Sequence, residues 1–184
     1  MKNEEIIKAA LDEGFFSAAV VETDKLVFDY SFRKYCEENL CGQYGVCYSC
    51  PPRCGTPEEM HARLGAYPKA LVFQSKWDNI KDFTPTAENT AKILAAKAKH
   101  NAALRRVADL MEKDGHKGVM AGASSCTLCD ECAAEHGKPC LHPNRAFSCL
   151  SAYCVNVSKL AGTCSMDFSP EDGSLTLYGV FTFI

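Results

Sequence analysis

The chain has 184 residues, of which 47% are hydrophobic and 23% charged, and its formal net charge is −3. This composition predicts a folded protein with a buried core, excludes a disordered chain, and gives no broad basic surface for nucleic acid. No stretch approaches the roughly 20 apolar residues of a membrane helix, and the N-terminus has no apolar signal region, so we expect a cytoplasmic protein without a membrane partner.

The residue pattern predicts a single domain over residues 1–184, of the α/β or α+β class. A Thr-Pro-Glu-Glu sequence starting at Thr56 has the N-cap and first-turn residues that begin a helix. A continuous β-branched and aromatic run at 69–75 is typical of a buried strand. The predicted elements in chain order are a helix at 4–13, strands at 18–22 and 25–28, a helix from 56, a strand at 69–75, a helix at 86–113, a strand at 118–124, and a hairpin of 164–168 with the last strand.

The strand at 69–75, the long helix and the strand at 118–124 form a βαβ unit. Such strands run parallel with a right-handed crossover, so we expect a mixed sheet with flanking helices. Ligands of parallel sheets lie beyond the carboxyl ends of strands. Cys126 lies two residues after the strand at 118–124, which predicts cysteine-rich loops at one end of the sheet.

Twelve cysteines are the most unusual feature of the composition. They lie mainly in two loops, at 36–54 and 126–164, and the segment between 54 and 126 contains none. Clustered cysteines in an intracellular protein bind metal more often than they form disulfides. The two loops are therefore candidate metal sites on a scaffold.

The run from Cys126 to Cys140 has the more specific spacing. Cys126, Cys129 and Cys132 are separated by two residues each, as in the loop that bacterial ferredoxins fold around a 4Fe–4S cluster. Cys140 is the candidate fourth ligand. Structural zinc sites instead use two pairs of cysteines set well apart, and this run does not have that spacing. Zinc is therefore the less favoured alternative to an iron–sulfur cluster.

The cysteines of the first loop predict a second metal site, although their spacing is less specific. Cys36, Cys41 and Cys50 are candidate ligands, and Cys47 is preferred over Cys54 as the fourth because it is only three residues from Cys50. The alternative is that these are reduced, partly buried cysteines. Cys149, Cys154 and Cys164 are interpreted as dispensable for the site at 126–140. They are either buried small hydrophobic residues or ligands that complete another cluster.

Both motifs resemble a family of predicted metal-binding proteins known as domain of unknown function 2284. The resemblance runs from about residue 30 to the last strand, and Cys154 stands where the family pattern has glycine. It implies a small cytoplasmic prokaryotic protein that binds metal as iron–sulfur. The ligands it supports are Cys36, Cys41, Cys50, Cys126, Cys129, Cys132 and Cys140.

Three function classes follow from these sites. The first is electron transfer or redox chemistry through one or two 4Fe–4S clusters, with a redox partner protein. The second is an enzyme whose cluster has an iron open to substrate, and the third is a zinc-stabilised binding module. His100 lies on the apolar stripe of the long helix and is interpreted as a core residue rather than a ligand.

Overall fold

A computed structural model describes residues 1–184 as one five-stranded mixed sheet with helices on both faces. The fold class is mixed α/β, as predicted. The helices are α1 (Asn3–Asp12), α2 (Arg33–Glu37), α3 (Pro57–Leu64), α4 (Ala87–Lys113) and α5 (Val157–Thr163). The strands are β1 (Ser17–Glu22), β2 (Lys69–Trp77), β3 (Gly118–Gly122), β4 (Ser148–Cys149) and β5 (Leu175–Phe183).

The strand order across the sheet is β1-β2-β5-β3-β4. Strand β5 pairs antiparallel with both β2 and β3, so β2 and β3 run in the same direction with β5 between them. The predicted βαβ unit is therefore present, with a third strand inserted between its two strands. Strand β4 pairs parallel to β3 at the sheet edge.

Both faces of the sheet are buried, and alternate residues of β2 show this directly. Leu71 and Phe73 pack with α1 and α4, while Ala70 and Val72 pack with α3 and α5. This alternation follows from the period of two in a strand. Each face carries its own core, because helices cover both sides.

The helix boundaries follow from local capping. Thr56 Oγ1 accepts a hydrogen bond from Glu59 N at 3.2 Å, and Glu59 Oε2 accepts one from Thr56 N at 2.9 Å, which completes a capping box at the start of α3. Helix α4 begins after Thr86, whose hydroxyl accepts from Asn89 N at 3.2 Å. None of the five helices combines the length and the apolar composition needed to cross a membrane.

Two predicted strands are wrong. Residues 23–25 form a short 3₁₀ turn, and Phe28 makes only an isolated bridge to Val155; Thr23 N donates to Pro68 O as the chain turns away from the sheet. The predicted hairpin does not form either, because Cys164 caps α5 and both sides of β5 are already paired with β2 and β3. The segment 164–168 therefore has no free edge to join.

Candidate metal centre

The two cysteine-rich loops meet at one edge of the sheet. Strands β3 and β4 pair in parallel, with Ala121 opposite Ser148 and Gly122 opposite Cys149. Their carboxyl ends therefore lie side by side, and the chain leaves both strands in the same direction. Cys149 is the last residue of β4, and Cys126 lies in the loop that follows β3. All twelve cysteines are free thiols.

Four cysteines of the second loop line one small cavity. We call Cys126, Cys129, Cys132 and Cys140 the 126–140 group. The cavity between them has a volume of about 30 Å³. Its remaining wall is mostly apolar, and it includes a fifth cysteine; these further lining residues are Cys47, Tyr48, Ser49, Leu128, Ala133, Leu141, His142 and Ala146. The structure thus brings the predicted ligands of this loop together.

The start of this loop is held by Asn101 of α4. Asn101 is fully buried; its Oδ1 accepts from Ala123 N at 3.0 Å, and its Nδ2 donates to Ser124 Oγ at 3.0 Å. Gly122 is needed here, because a Cβ would overlap the Phe147 ring and the Asn101 side chain. The path from β3 to Cys126 is therefore fixed by buried contacts.

Ser49 docks the first loop onto the second. Cys126 N donates to Ser49 Oγ at 2.9 Å, and the same hydroxyl lies 3.1 Å from Cys47 Sγ. The neighbouring Tyr48 hydroxyl donates to Lys138 O at 2.8 Å. These contacts place Cys47, which the sequence assigned to the first site, in the wall of the 126–140 cavity.

Tight turns bring Cys47, Cys50 and Cys54 together in the buried part of the first loop. Cys50 N donates to Cys47 O at 3.2 Å, and Cys54 N donates to Cys50 O at 3.1 Å. Gly45 has a φ of +75°, which side-chain-bearing residues rarely adopt, and its N–H donates to Pro51 O at 2.7 Å. The neighbouring Cys50 thiol lowers the pKa of Cys47, and Cys47 in turn raises the pKa of Cys50.

Cys149 packs against the same core cluster that contains Cys54 of the first loop. Burial raises the pKa of Cys36 to about 11, and the nearby charge of Cys149 adds to the rise. The Cys149 charge also raises the pKa of Cys54, after the larger effect of burial. We call this set the Cys149 group: Cys36, Cys41, Cys50, Cys54, Cys149 and Cys154. Cys36 is half-buried in α2, and Cys41 is exposed beyond the helix.

Sequence reasoning did not assign Cys149 or Cys154 to a site. Cys149 is almost 100 residues from Cys54 in the chain, and no local pattern reveals that both pack on the same core. Cys154 is fully buried and has a φ of +58°, in the left-handed region that favours glycine. The signal in the sequence was the family pattern, which has glycine at this position.

The donor chemistry of both groups fits a soft metal or an iron–sulfur cluster. No three Cys, His, Asp or Glu side chains converge on one point where they could ligate a single ion. In a tetrahedral zinc site the thiolates stand about 3.8 Å apart, since each lies about 2.3 Å from the metal. The thiols of the 126–140 group share a cavity without such convergence.

The DUF2284 family model, described as a predicted metal-binding protein, matches residues 19–182. No curated protein and no solved structure matches the chain. The family match includes all twelve cysteines and nearly all of the sheet, and it agrees with the resemblance found in the sequence motifs. This chain therefore belongs to the DUF2284 family of predicted metal-binding proteins.

Proposed function

We propose that the protein binds two 4Fe–4S clusters and acts in electron transfer with a redox partner protein. One observation carries the proposal: Cys126, Cys129 and Cys132 have the ferredoxin spacing and line one cavity together with Cys140. A bound cluster would supply one-electron redox chemistry at this position. The protein supplies four thiolates, a mostly apolar wall and a fixed exit from β3.

The cavity in its described form is smaller than a cluster. Its volume of about 30 Å³ is close to the share of one water molecule in liquid water. The loop from Cys126 to Cys140 contains only one short 3₁₀ turn, at Ala133–His136, and all four of its thiols are half-buried. Binding a cluster therefore requires the four thiols to move apart from these positions.

For the second cluster we propose Cys36, Cys41, Cys50 and Cys149 as ligands. Cys47, the fourth ligand preferred from the sequence, accepts a hydrogen bond from Cys50 N through its carbonyl but also lines the other cavity. Cys149 lies at the carboxyl end of β4. Arg33, one turn before Cys36 on α2, donates to the carbonyl of Ala152, three residues after Cys149. This arrangement leaves Cys47 between the two groups, where it can serve as an alternative ligand to either.

A cleft beside Cys140 favours a second candidate function, an enzyme with an iron open to substrate. The cleft has a volume of about 440 Å³ and is lined in part by Arg63, Ser148 and Tyr153. This volume is in the range of sites for small molecules. A substrate there would lie next to Cys140, and its binding would change the spectrum of the cluster.

Metal and sulfide analysis of protein purified without oxygen tests the proposal. Two clusters correspond to about eight irons and eight sulfides per chain. Cys129→Ser should lower both by about four, because it removes one ligand of the 126–140 group. The matched control is Cys164→Ser: Cys164 is half-buried, and no other cysteine contributes to its pKa, so this variant should keep the full content.

The measured contents of iron, zinc and sulfide distinguish between two clusters, one cluster and a zinc site. About four irons in the wild type would reject the second cluster and return the first loop to structural cysteines. Zinc without acid-labile sulfide would reject both clusters and favour the zinc-stabilised module. Full retention of iron in Cys129→Ser would reject the ligand assignment at 126–140.

A further inference from the structure

Arg33 and Arg105 are the two charged side chains that the fold buries. Their exposed fractions are 9% and 6%. Neither forms an ion pair with a carboxylate, although ten other ion pairs lie elsewhere on the molecule. Burying a charge is costly unless an opposite charge and hydrogen bonds accompany it. No carboxylate offsets the cost of burying either arginine.

Arg33 lies within the Cys149 group. Its Nη1 donates to Gly55 O at 2.9 Å and its Nη2 donates to Ala152 O at 3.0 Å. These two carbonyls follow Cys54 and Cys149 in the chain, so the guanidinium joins the two parts of the group. Its Nε has no hydrogen-bond partner.

The thiols are the nearest anionic candidates for Arg33. Cys36 is one turn further along α2, on the same side as Arg33. Ala152, whose carbonyl accepts from Arg33, also donates its N–H to Cys149 Sγ at 3.4 Å. Cys54 immediately precedes Gly55, the other residue whose carbonyl accepts from Arg33.

Arg105 lies beside the 126–140 group, as Arg33 lies beside the Cys149 group. It lies one turn after Asn101 on α4, below the loop that leads to Cys126. Its Nε donates to Arg145 O at 3.3 Å, and its guanidinium lies 4.5 Å from the centre of the Phe147 ring. Its Nη2 has no hydrogen-bond partner.

Asp109 lies one turn after Arg105 on α4. This carboxylate is already engaged by both Nη atoms of Arg145, which leaves the thiols of the 126–140 group as the anionic candidates. Ala146, the residue after Arg145, lines the 126–140 cavity, so the hydrogen bond from Arg105 Nε to Arg145 O ends next to the wall of that cavity. Arg105 is therefore a buried charge beside this group without a carboxylate of its own.

We propose that Arg33 and Arg105 are the counter-ions of the two metal–thiolate groups, Arg33 for the Cys149 group and Arg105 for the 126–140 group. This inference rests on the proposed function, because it requires that each group holds a metal centre. A centre with several thiolates is anionic, and reduction adds one more negative charge. A positive charge at short range in a medium of low dielectric constant stabilises the reduced form more, so each arginine raises the potential of its own site.

The test uses four variants in pairs: Arg33→Met and Arg33→Lys, Arg105→Met and Arg105→Lys. Spectroscopic redox titration should show that each Met variant lowers the potential of one cluster only, and that the two variants affect different clusters. Each Lys variant keeps the charge and should stay nearer the wild-type potential. Lys34→Met and Arg106→Met remove exposed charges from the same helices and should leave both potentials unchanged.

A second readout is the affinity of each site for its metal. Loss of an outer-shell partner typically weakens metal binding by roughly 10- to 100-fold, so the Met variants should lose metal more readily in competition with a chelator. If a Met variant does not fold, Arg→Gln at the same position is neutral but still donates hydrogen bonds. If the wild type holds zinc without sulfide, the proposed function fails, and zinc affinity in the same variants still tests the counter-ion inference.

Three results would overturn the counter-ion assignment. The first is a Met variant with wild-type potential and wild-type metal affinity. The second is a Lys variant that behaves like its Met counterpart, which would show that hydrogen bonding rather than charge is required. The third is an effect of both arginines on the same cluster, which would contradict their separate positions.

Discussion

His100 lies in the packing between α4 and the sheet, with 1% of its surface exposed. Its Nδ1 is 2.8 Å from Ser75 Oγ, and its ring meets Phe15 edge-on. Burial lowers the pKa of His100 to about 3. The ring is therefore neutral at physiological pH, and its position agrees with the core role that the apolar stripe of α4 predicted.

This buried ring gives a prediction for stability against pH. An unfolded histidine titrates near pH 6.5, whereas folded His100 stays neutral until about pH 3. Between these values the unfolded state binds more protons, so the free energy of unfolding should fall as the pH is lowered through this range. The contribution of His100 approaches 1.4 kcal/mol per pH unit at most.

Urea unfolding at several pH values between 5 and 7.5 measures this slope. His100→Gln should have a shallower slope than the wild type, because the variant has no group here that protonates. His136→Gln removes a histidine whose side chain is 56% exposed and should keep the wild-type slope. Equal slopes for His100→Gln and the wild type would contradict the prediction.

Single residues differ in how much the sequence reveals of their roles. The spacing of Cys126, Cys129 and Cys132 predicts one site because neighbours in the chain form it. Arg33 and Cys149 are far apart in the sequence, and only tertiary contacts bring them to the same group. No local pattern could have identified either.

Elements with strong local patterns were predicted well. Strand β2 and helix α4 are long, and both have periodic apolar residues that match their structure. The predicted hairpin failed because the partners of β5 are distant strands, and local alternation does not specify a partner. The same limit applies to the two loops: their cysteines were visible, but their docking through Ser49 was not.

The docking contact gives a prediction at the level of these loops. Ser49→Ala removes the acceptor for Cys126 N and leaves this amide without its partner. Leaving a buried donor unsatisfied costs about 1–3 kcal/mol, so the free energy of unfolding should fall by that order. The 126–140 group should also lose metal faster, because Cys126 is no longer held.

Chemical unfolding and the rate of metal loss to a chelator measure the two effects. Ser158→Ala provides the matched control, since Ser158 is exposed on α5 and lies outside residues 36–54 and 126–140. Unchanged stability and unchanged metal loss in Ser49→Ala would show that the two loops are held together by other contacts.

Across the whole molecule, helices and strands are unevenly distributed along the chain. The sheet and four of the helices form the two cores, with α2 among the cysteines, whereas the segments 38–54 and 123–147 contain no α-helix or strand. Metal ligation is coupled to folding where the ligands lie in such segments. The metal should therefore stabilise the loops more than the sheet.

Hydrogen exchange in metal-loaded and metal-free protein tests this prediction. Removal of the metal should increase exchange in the two segments and leave β2 and β5 protected, because backbone pairing and buried side chains hold those strands. A uniform increase over the whole chain would instead indicate that the sheet also depends on the metal.

The position of β5 in the sheet has a consequence for biosynthesis. This strand follows both cysteine-rich loops in the chain, yet it is the strand that joins β2 to β3. Because the N-terminal part of a chain leaves the ribosome first, β2 and β3 have no common partner until β5 has emerged. The two loops are then brought together only after β5 has been synthesised, and until that point most of the twelve thiols would be exposed to cellular oxidants and to competing metals.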